Sequence, residues 1–168
     1  FLTGTRADFG KIKSLIQILE AYPEFEPFIF VTGMHLQKEY GYTLLEVERC
    51  GFTNIHTFEN HTHETTMDLT LAKTIKGLSA YVKQCEPDMI VIHGDRVEAL
   101  AGAIVGSLNN ILVAHIEGGE VSGTIDELIR HSTSKMSHVH FVSNKQAKKR
   151  LIQMGELEHA IFTIGSPD

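Results

Sequence analysis

Short apolar runs rich in β-branched residues recur along the chain, and stretches with helical periodicity separate them. This pattern predicts strands at residues 1–3, 28–32, 55–58, 89–93, 111–116, 139–142 and 161–164. The intervening helical stripes are Ile12, Leu15, Ile16 and Leu19; Met67, Leu71, Ile75, Leu78 and Val82; and Ala99, Leu100, Ala103 and Ile104. Strands that alternate with helices indicate an α/β fold, here one doubly wound, Rossmann-like parallel sheet with helices on both faces.

The composition limits the partners of this fold. The 168 residues carry a formal net charge of −6, so we expect neither nucleic acid nor an anionic membrane surface as a partner. Apolar runs such as "MIVIH" are far shorter than the roughly 20 residues that cross a bilayer. Cys50 and Cys85 are far apart and lack CxxC spacing, so we expect free thiols and a cytoplasmic location. The short first strand and the stop after "IGSPD" predict a piece of a longer protein.

Polar residues concentrate where the predicted strands end, in "TGTRAD", "TGMH", "HGDR" and "HIEGGEVSGTIDE". Ligands of open α/β sheets bind beyond the carboxyl ends of the strands, so we expect the functional site there. In "GTRADFGK", Arg6 stands at the start of a predicted helix, where its fork of donors and the helix dipole suit phosphate oxygens. The alternative is a plain turn with Arg6 solvated or paired to Asp8. The stretch matches neither GxxxxGK[ST] nor GxGxxG, which disfavours ATP and NAD as ligands.

Three carboxylates are predicted at the same edge of the sheet. Asp95 and Glu117 each follow an apolar strand, and Asp126 begins a later helix. Crowded like charges raise the pKa values of some of their members, which suits acid and base chemistry near neutral pH. The alternatives are structural: Asp95 caps a helix, or Asp126 pairs with Arg130 one helical turn away.

Arg96 and the start of the helix that carries Asp126 lie next to these acids in sequence. Arg96 stands at a helix N-terminus, where its charge opposes the helix dipole unless an anion binds beside it. Thr124 is the expected cap of the helix that carries Asp126, with Glu127 completing a capping box.

The remaining clusters of polar residues are interpreted as structural. The motif "NHTHE", with His61, His63 and Glu64, has no further ligand group nearby, so we predict no metal site there. His138 and His140 share one face of a strand, where packing or a hydrogen bond is expected. The basic run "NKQAKKR" is expected to be a solvated helix face.

Five segments, "TGTRADFGK", "HGDR", "HIEGGEVSGTIDE", "IRH" and "GSPD", resemble in order and spacing the hydrolysing UDP-N-acetylglucosamine 2-epimerases of sialic-acid-type and legionaminic-acid-type sugar biosynthesis. Related non-hydrolysing epimerases read GTRPE at the first motif, whereas this chain has Ala7 and Asp8. The resemblance therefore favours the hydrolysing branch. It implies that residues 1–168 form the N-terminal lobe of a two-lobed, GT-B type enzyme and that the C-terminal lobe is absent from this chain.

The resemblance also implies the chemistry. UDP leaves carbon 1 of the sugar to give a 2-acetamidoglucal, water adds back, and no cofactor is required. Asp95, Glu117 and Asp126 become the candidate acid and base groups. Asp95 and Glu117 are assigned to the proton at carbon 2, and Asp126 to water or the N-acetyl group. The implied substrate-binding residues are Arg6, Ala7, Arg96, Arg130 and His131.

Several alternatives stay open. The substrate is UDP-N-acetylglucosamine or a UDP-diacetamido sugar, and the 168-residue piece alone is expected to be inactive. The chain also fits a GT-B glycosyltransferase lobe or a non-catalytic module that binds nucleotide sugars. The resemblance implies a homodimer formed through this lobe, and the apolar stripe from Met67 to Val82 is a candidate surface unless it belongs to the core.

Overall fold

The computed structural model describes residues 1–61 and 66–167, and these form alternating strands and helices. The strands are β1 (Leu2–Thr3), β2 (Phe28–Val31), β3 (Asn54–Thr57), β4 (Met89–His93), β5 (Leu112–Ile116), β6 (Val139–Val142) and β7 (Ile161–Thr163). The α-helices are α1 (Arg6–Glu20), α2 (Leu44–Glu48), α3 (Met67–Cys85), α4 (Val97–Leu108), α5 (Ile125–Lys135) and α6 (Lys145–Gln153). Short 3₁₀ helices cover Gly33–Leu36, Lys38–Tyr40 and Glu158–Ala160. Each predicted strand is confirmed to within one residue at either end.

The strands form two hydrogen-bonded ladders in which every pairing is parallel. One ladder has the order β1-β2-β3 and the other the order β4-β5-β6-β7. The two ladders adjoin at β1 and β4. The predicted single sheet is therefore present as two adjoining ladders. The carboxyl ends of β1, β4 and β5 consequently lie side by side.

Alternating residues of the strands face two separate apolar cores. Phe30, Ile90 and Ile92 pack beneath α3 and α4 together with Leu78 and Val82. On the opposite face, Ile29, Val31 and Val91 pack against α1 and α2 with buried residues that include Ile12 and Ile16. Helices on both faces confirm the doubly wound α/β class, because β1, β2 and β5 bury consecutive residues, which point to opposite faces.

Most helix ends agree with their sequence signals. Asn144 caps α6 by accepting a hydrogen bond from the Ala147 amide at 2.9 Å, and Gly155 follows that helix with a φ of 91°. Helix α2 and the 3₁₀ helices were not predicted, because five or fewer residues are too few to show a period. No helix in the described ranges has both the length and the apolar character to cross a membrane.

The histidine and cysteine predictions have mixed outcomes. His138 accepts a hydrogen bond from the Val113 amide, and His140 lies 3.1 Å from Glu156, so both form hydrogen bonds as predicted. Cys50 and Cys85 are free thiols. The residues His63 and Glu64 of "NHTHE" lie outside the described residues.

Candidate functional site

The candidate site lies where β1, β4 and β5 end. The Gly94 amide donates to the Ile116 carbonyl at 3.0 Å, so the two turns that carry Asp95 and Glu117 begin next to each other. Helix α1 starts just after β1 and packs near the end of β4. Thr5 caps α1 by accepting from the Asp8 amide at 3.2 Å, as an N-cap threonine does. This arrangement brings the first turns of α1 to the two acidic turns.

His93, the last residue of β4, links α1 to Glu117. Its Nε2 lies 2.9 Å from Glu117 Oε2, and its Nδ1 lies 3.6 Å from Asp8 Oδ1. The Asp8 carboxylate also accepts from the Gly4 amide at 3.3 Å. The His93 side chain is only 10% exposed, so the two ion pairs are largely shielded from solvent.

Two further groups contact Glu117 from other elements. Lys11 Nζ of α1 lies 3.9 Å from Glu117 Oε1 and donates to the Ser166 hydroxyl at 3.0 Å. The Ser166 hydroxyl in turn donates to the Glu117 carboxylate. Glu117 is thus held by α1, by β4 and by the segment after β7.

These contacts set the charges of the pair. Burial alone lowers the pKa of His93, but the nearby negative charge of Asp8, together with the hydrogen bond and negative charge of Glu117, outweighs it and raises this pKa to about 9. The hydrogen bond from His93 lowers the pKa of Glu117 to about 2, against burial and with help from Ser166 and Lys11. The prediction that crowded acids raise one another's pKa values is wrong for Glu117, because its neighbours are cationic. At neutral pH Glu117 is a carboxylate and His93 an imidazolium.

The backbone at Glu117 adopts a conformation that non-glycine residues rarely use. Its φ is 62°, in the left-handed region, and its amide donates to the Phe141 carbonyl at 2.8 Å. Gly118 follows, where an added Cβ would lie 2.7 Å from Ser134 Oγ. The glycine therefore permits close packing on α5. Left-handed non-glycine residues cluster at functional sites, which supports a role for Glu117.

His115 of β5 supports the turn that carries Asp95. Its Nε2 donates to the Gly94 carbonyl at 2.7 Å, and its Nδ1 accepts from the Ser134 hydroxyl at 3.0 Å. Burial lowers the pKa of His115 to about 3, so the ring is neutral and its two hydrogen bonds have fixed directions.

Asp95 pairs with Arg130 of α5 rather than capping a helix with its side chain. The Arg130 guanidinium donates to the Asp95 carboxylate and, at 3.1 Å, to the Glu120 carbonyl. The alternative pairing of Asp126 with Arg130 is absent from the described residues, because Arg130 points toward Asp95. Asp126 is exposed one turn before Arg130 and accepts from the Thr124 hydroxyl at 3.1 Å.

The predicted capping box at α5 is wrong in detail. Thr124 occupies the N-cap position but forms no side-chain hydrogen bond to the helix backbone. Glu127 instead accepts from the amides of Ser122 and Gly123, each at 2.7 Å. Its carboxylate therefore folds back on the loop before the helix.

Arg6 and Ala7 lie in the first turn of α1 and line an open groove with Gly10, Lys11 and Pro167. Arg6 does not pair with Asp8, as one alternative held, because Asp8 turns toward His93 and Gly4. The Arg6 Nε lies 3.2 Å from Glu46 of α2 in an exposed ion pair. An anion in the groove would meet cationic side chains and the positive end of the α1 dipole.

Arg96 forms an ion pair with Glu98 of the same chain. Its Nε donates to Glu98 Oε2 at 3.1 Å, and that carboxylate is 2% exposed. Asn60 also donates to Glu98, at 3.4 Å. Glu98 therefore supplies a negative charge beside Arg96, and the interpretation that a bound anion relieves the conflict between Arg96 and the helix dipole stays a prediction.

His131 stands apart from the groove beside Arg6. It lines a second open groove with Leu128, Lys135 and Met154, and its Nε2 lies 3.9 Å from Glu127. Within residues 1–61 and 66–167, no group of three or more histidine, cysteine, aspartate or glutamate side chains is arranged to hold a metal ion.

The sequence analysis missed three residues that contact Glu117, namely Lys11, His93 and Ser166, and it missed the contact of Asp8 with His93. His93 and Ser166 lie in the motifs "HGDR" and "GSPD", and Asp8 and Lys11 in "TGTRADFGK". The rule that ligands bind at strand ends applied equally to His93, which ends β4. Its partners are 85 and 24 residues away in sequence, so spacing gave no signal of the pairing.

Comparison with known proteins identifies the family. A family profile described as UDP-N-acetylglucosamine 2-epimerase matches residues 17–168. A UDP-N-acetylglucosamine 2-epimerase of Neisseria meningitidis is 53% identical over 99% of this chain and 44% of its own length. A Legionella pneumophila protein named UDP-N,N'-diacetylbacillosamine 2-epimerase (hydrolyzing) is 40% identical over 99% of the chain and 45% of its own length.

The structural comparison agrees with the sequence comparison. The crystal structure of Methanocaldococcus jannaschii UDP-GlcNAc 2-epimerase in complex with UDP-GlcNAc and UDP superposes with a TM-score of 0.85 at 27% identity. The match covers 98% of this chain and 45% of that one. The chain thus spans less than half the length of the relatives it matches and corresponds to one lobe of such structures. By sequence and by fold, it belongs to the UDP-N-acetylglucosamine 2-epimerase family.

Proposed function

We propose that this chain is the N-terminal lobe, residues 1–168, of a hydrolysing UDP-N-acetylglucosamine 2-epimerase with a GT-B type architecture. The observation that carries the proposal is the pair of acidic turns after β4 and β5, which adjoin beside the N-terminus of α1. Asp95 and Glu117 then face the sugar, while the groove of Arg6 and Ala7 receives the diphosphate. A second lobe closes the cleft and completes the nucleotide site.

The arrangement suits the elimination of UDP. A carboxylate removes the hydrogen at carbon 2 as the bond from carbon 1 to the UDP oxygen breaks, which leaves a 2-acetamidoglucal. Arg6, Lys11 and the amides of α1 stabilise the charge that develops on the departing diphosphate. Water then adds at carbon 1 and a proton returns to the opposite face of carbon 2. Proton transfers of this kind require groups positioned on both faces of the ring.

The contacts of the acids support a division of roles. Glu117 and Asp95 act at carbon 2, because their turns adjoin at the strand ends. Asp126, exposed at the start of α5, orients water or the N-acetyl group. Arg130 binds near the substrate and holds Asp95, and His131 contacts the far side of the cleft. Arg96 supports the site through Glu98.

Two observations favour the hydrolysing branch and leave two substrate classes. The Legionella relative carries the word hydrolyzing in its name, and the first motif has Ala7 and Asp8 in place of Pro and Glu. The substrate is UDP-N-acetylglucosamine, as in the name of the Neisseria relative, or a UDP-diacetamido sugar. We also propose a cytoplasmic homodimer, which accords with the two free thiols.

The test is a product assay on the full-length protein in deuterium oxide. UDP-N-acetylglucosamine should yield free UDP and an N-acetylmannosamine-type sugar that carries deuterium at carbon 2. Glu117→Gln and Asp95→Asn should each lower kcat by about 10²- to 10⁴-fold. The matched control is Glu158→Gln, which removes an exposed carboxylate that pairs with Lys148 and should leave the rate unchanged.

Other products would contradict the proposal. A UDP-linked epimer would assign the protein to the non-hydrolysing branch. Transfer of the sugar to an acceptor would identify a glycosyltransferase. Tight binding of UDP-sugars without any product would identify a non-catalytic module.

A further inference from the structure

The mechanism proposed above assigns no role to His93, although this histidine contacts Glu117, one of the proposed acids. His93 ends β4, and its imidazole lies between Glu117 Oε2, at 2.9 Å from Nε2, and Asp8 Oδ1, at 3.6 Å from Nδ1. The three side chains come from α1, β4 and the turn after β5. No larger conformational change is needed for a proton to pass from Nε2 to the Glu117 carboxylate, because the two atoms are already at hydrogen-bond distance.

The surroundings favour a charged ring. Asp8 and Lys11 face this cluster from α1, Glu117 from the turn after β5, and neutral His115 from β5. Asp8 and Glu117 are acidic, Lys11 binds at the outer side of Glu117, and His115 contributes no charge. The pKa of His93, raised to about 9, agrees with an imidazolium at neutral pH.

In this charge state Glu117 alone is poorly suited to carrying a proton, but the hydrogen-bonded pair of Glu117 and His93 can do so. A carboxylate with a pKa near 2 is a weak base and holds a proton poorly. It can nevertheless pass on a proton that its hydrogen-bonded neighbour supplies. In that transfer the ion pair becomes a neutral carboxylic acid and a neutral imidazole, and the net charge of the pair does not change.

We propose, resting on the function proposed above, that His93 is a positioning residue that orients Glu117 and supplies it with the proton returned to carbon 2 of the glucal. The Nε2–H bond breaks as the Glu117 O–H bond forms, and the Glu117 O–H bond breaks as the C–H bond at carbon 2 forms. The neutral imidazole regains its proton from solvent, with Asp8 stabilising the imidazolium. Asp95 is then the base that removes the original proton and releases it to solvent, and the water that adds at carbon 1 gives up one proton to solvent.

The decisive variant is His93→Gln in the full-length protein, because the glutamine amide can still donate to Glu117 but cannot supply a proton. We expect kcat to fall by about 10²-fold with KM changed less than about threefold. Elimination continues in this variant, so 2-acetamidoglucal should accumulate and leave the enzyme. The matched control, His159→Gln at an exposed position, should release no glucal.

The pH profile separates proton supply from a merely structural role. Activity of the unaltered protein should fall as pH rises through about 9, where His93 loses its proton. Asp8→Asn removes one stabilising charge, so this decline should move to lower pH. In His93→Gln the decline should disappear. An unmoved decline in both variants, or a loss of activity in His93→Gln without any glucal, would overturn the proposal.

A titration of the histidine rings by NMR distinguishes failure of this inference from failure of the proposed function. His93 should stay protonated well above pH 7 in the unaltered protein and titrate at lower pH in Glu117→Gln. If these shifts occur but no epimerised sugar forms from any UDP-sugar, the proposed function is wrong, and the proton-supply role falls with it. If His93 is neutral at pH 7, the proposed role of His93 is wrong even for an active epimerase.

Discussion

Glu117 combines a conformation that costs free energy with contacts that offset the cost. A left-handed φ of 62° at a non-glycine residue costs on the order of 1–3 kcal/mol. The charge-assisted, partly buried hydrogen bond from His93 contributes a comparable amount, about 1.5–3 kcal/mol. The fold therefore holds the carboxylate in one place, at the end of β5. Such a fixed position is what a group that moves protons requires.

Arg6 is held by Glu46, a partner that the diphosphate would have to replace under the proposed function. Its ion pair with Glu46 is exposed, with 74% of the arginine side chain accessible, so the pair is weak and screened by salt. In the full-length protein, Glu46→Gln should tighten UDP binding by up to about fivefold at low salt, the value of an exposed ion pair. Arg6→Met should weaken binding by about 10- to 100-fold, since a charged hydrogen-bond donor is lost. Isothermal titration calorimetry measures both changes.

The control for this pair is Glu48→Gln. Glu48 is exposed on the same short helix, two residues from Glu46, and the substitution removes the same charge without touching Arg6. Equal effects of the two substitutions would show that only the overall charge matters and that Glu46 does not compete with UDP.

At the scale of single elements, α1 and α5 begin in ways that differ despite similar sequences. Both have threonine at the N-cap and an acidic residue three positions later. Thr5 accepts a hydrogen bond from the Asp8 amide, whereas Thr124 makes no bond to the backbone of α5. Thr5→Ala should therefore lower the free energy of unfolding by about 1 kcal/mol, and Thr124→Ala by clearly less. Urea denaturation of the purified protein measures the difference, and equal losses would contradict it.

The elements differ in how well local sequence predicts them. β4 and β6 were predicted with their observed bounds, because runs such as "MIVIH" are mostly apolar and contain buried residues at alternate positions. The position of Asp95 and Glu117 at strand ends followed from the same pattern. The partners of these acids could not be predicted in this way, because Arg130 and His93 reach them only after distant elements pack. Contacts between distant elements leave no periodic pattern in the sequence. The pairing of Arg130 with Asp95 rather than with Asp126 is therefore a tertiary effect.

The whole molecule places the candidate site at the junction of its two ladders. β1 and β4 belong to different ladders, yet the ion pairs of His93 join α1, which follows β1, to the turn after β5. Helix α4 packs against both β1 and β4 on one face of this junction. The geometry of the site therefore depends on how the ladders sit against each other, and α4 is the element that fixes this.

Gly102 of α4 is the point of closest approach across that junction. A Cβ there would lie 2.6 Å from Ile92 Cγ2 and 3.0 Å from Leu2 Cδ2, one on each ladder. Gly102→Ala should push α4 outward and lower the free energy of unfolding by about 1–3 kcal/mol, as overpacking does. Hydrogen exchange should then speed up in both ladders together, because they share the disturbed contact.

Gly10→Ala in α1, which has nothing within 4 Å, is the control and should be neutral or stabilising by up to about 1 kcal/mol. Faster exchange confined to β4–β7 would show instead that the ladders are coupled elsewhere, and that α4 does not hold the two halves of the site in register.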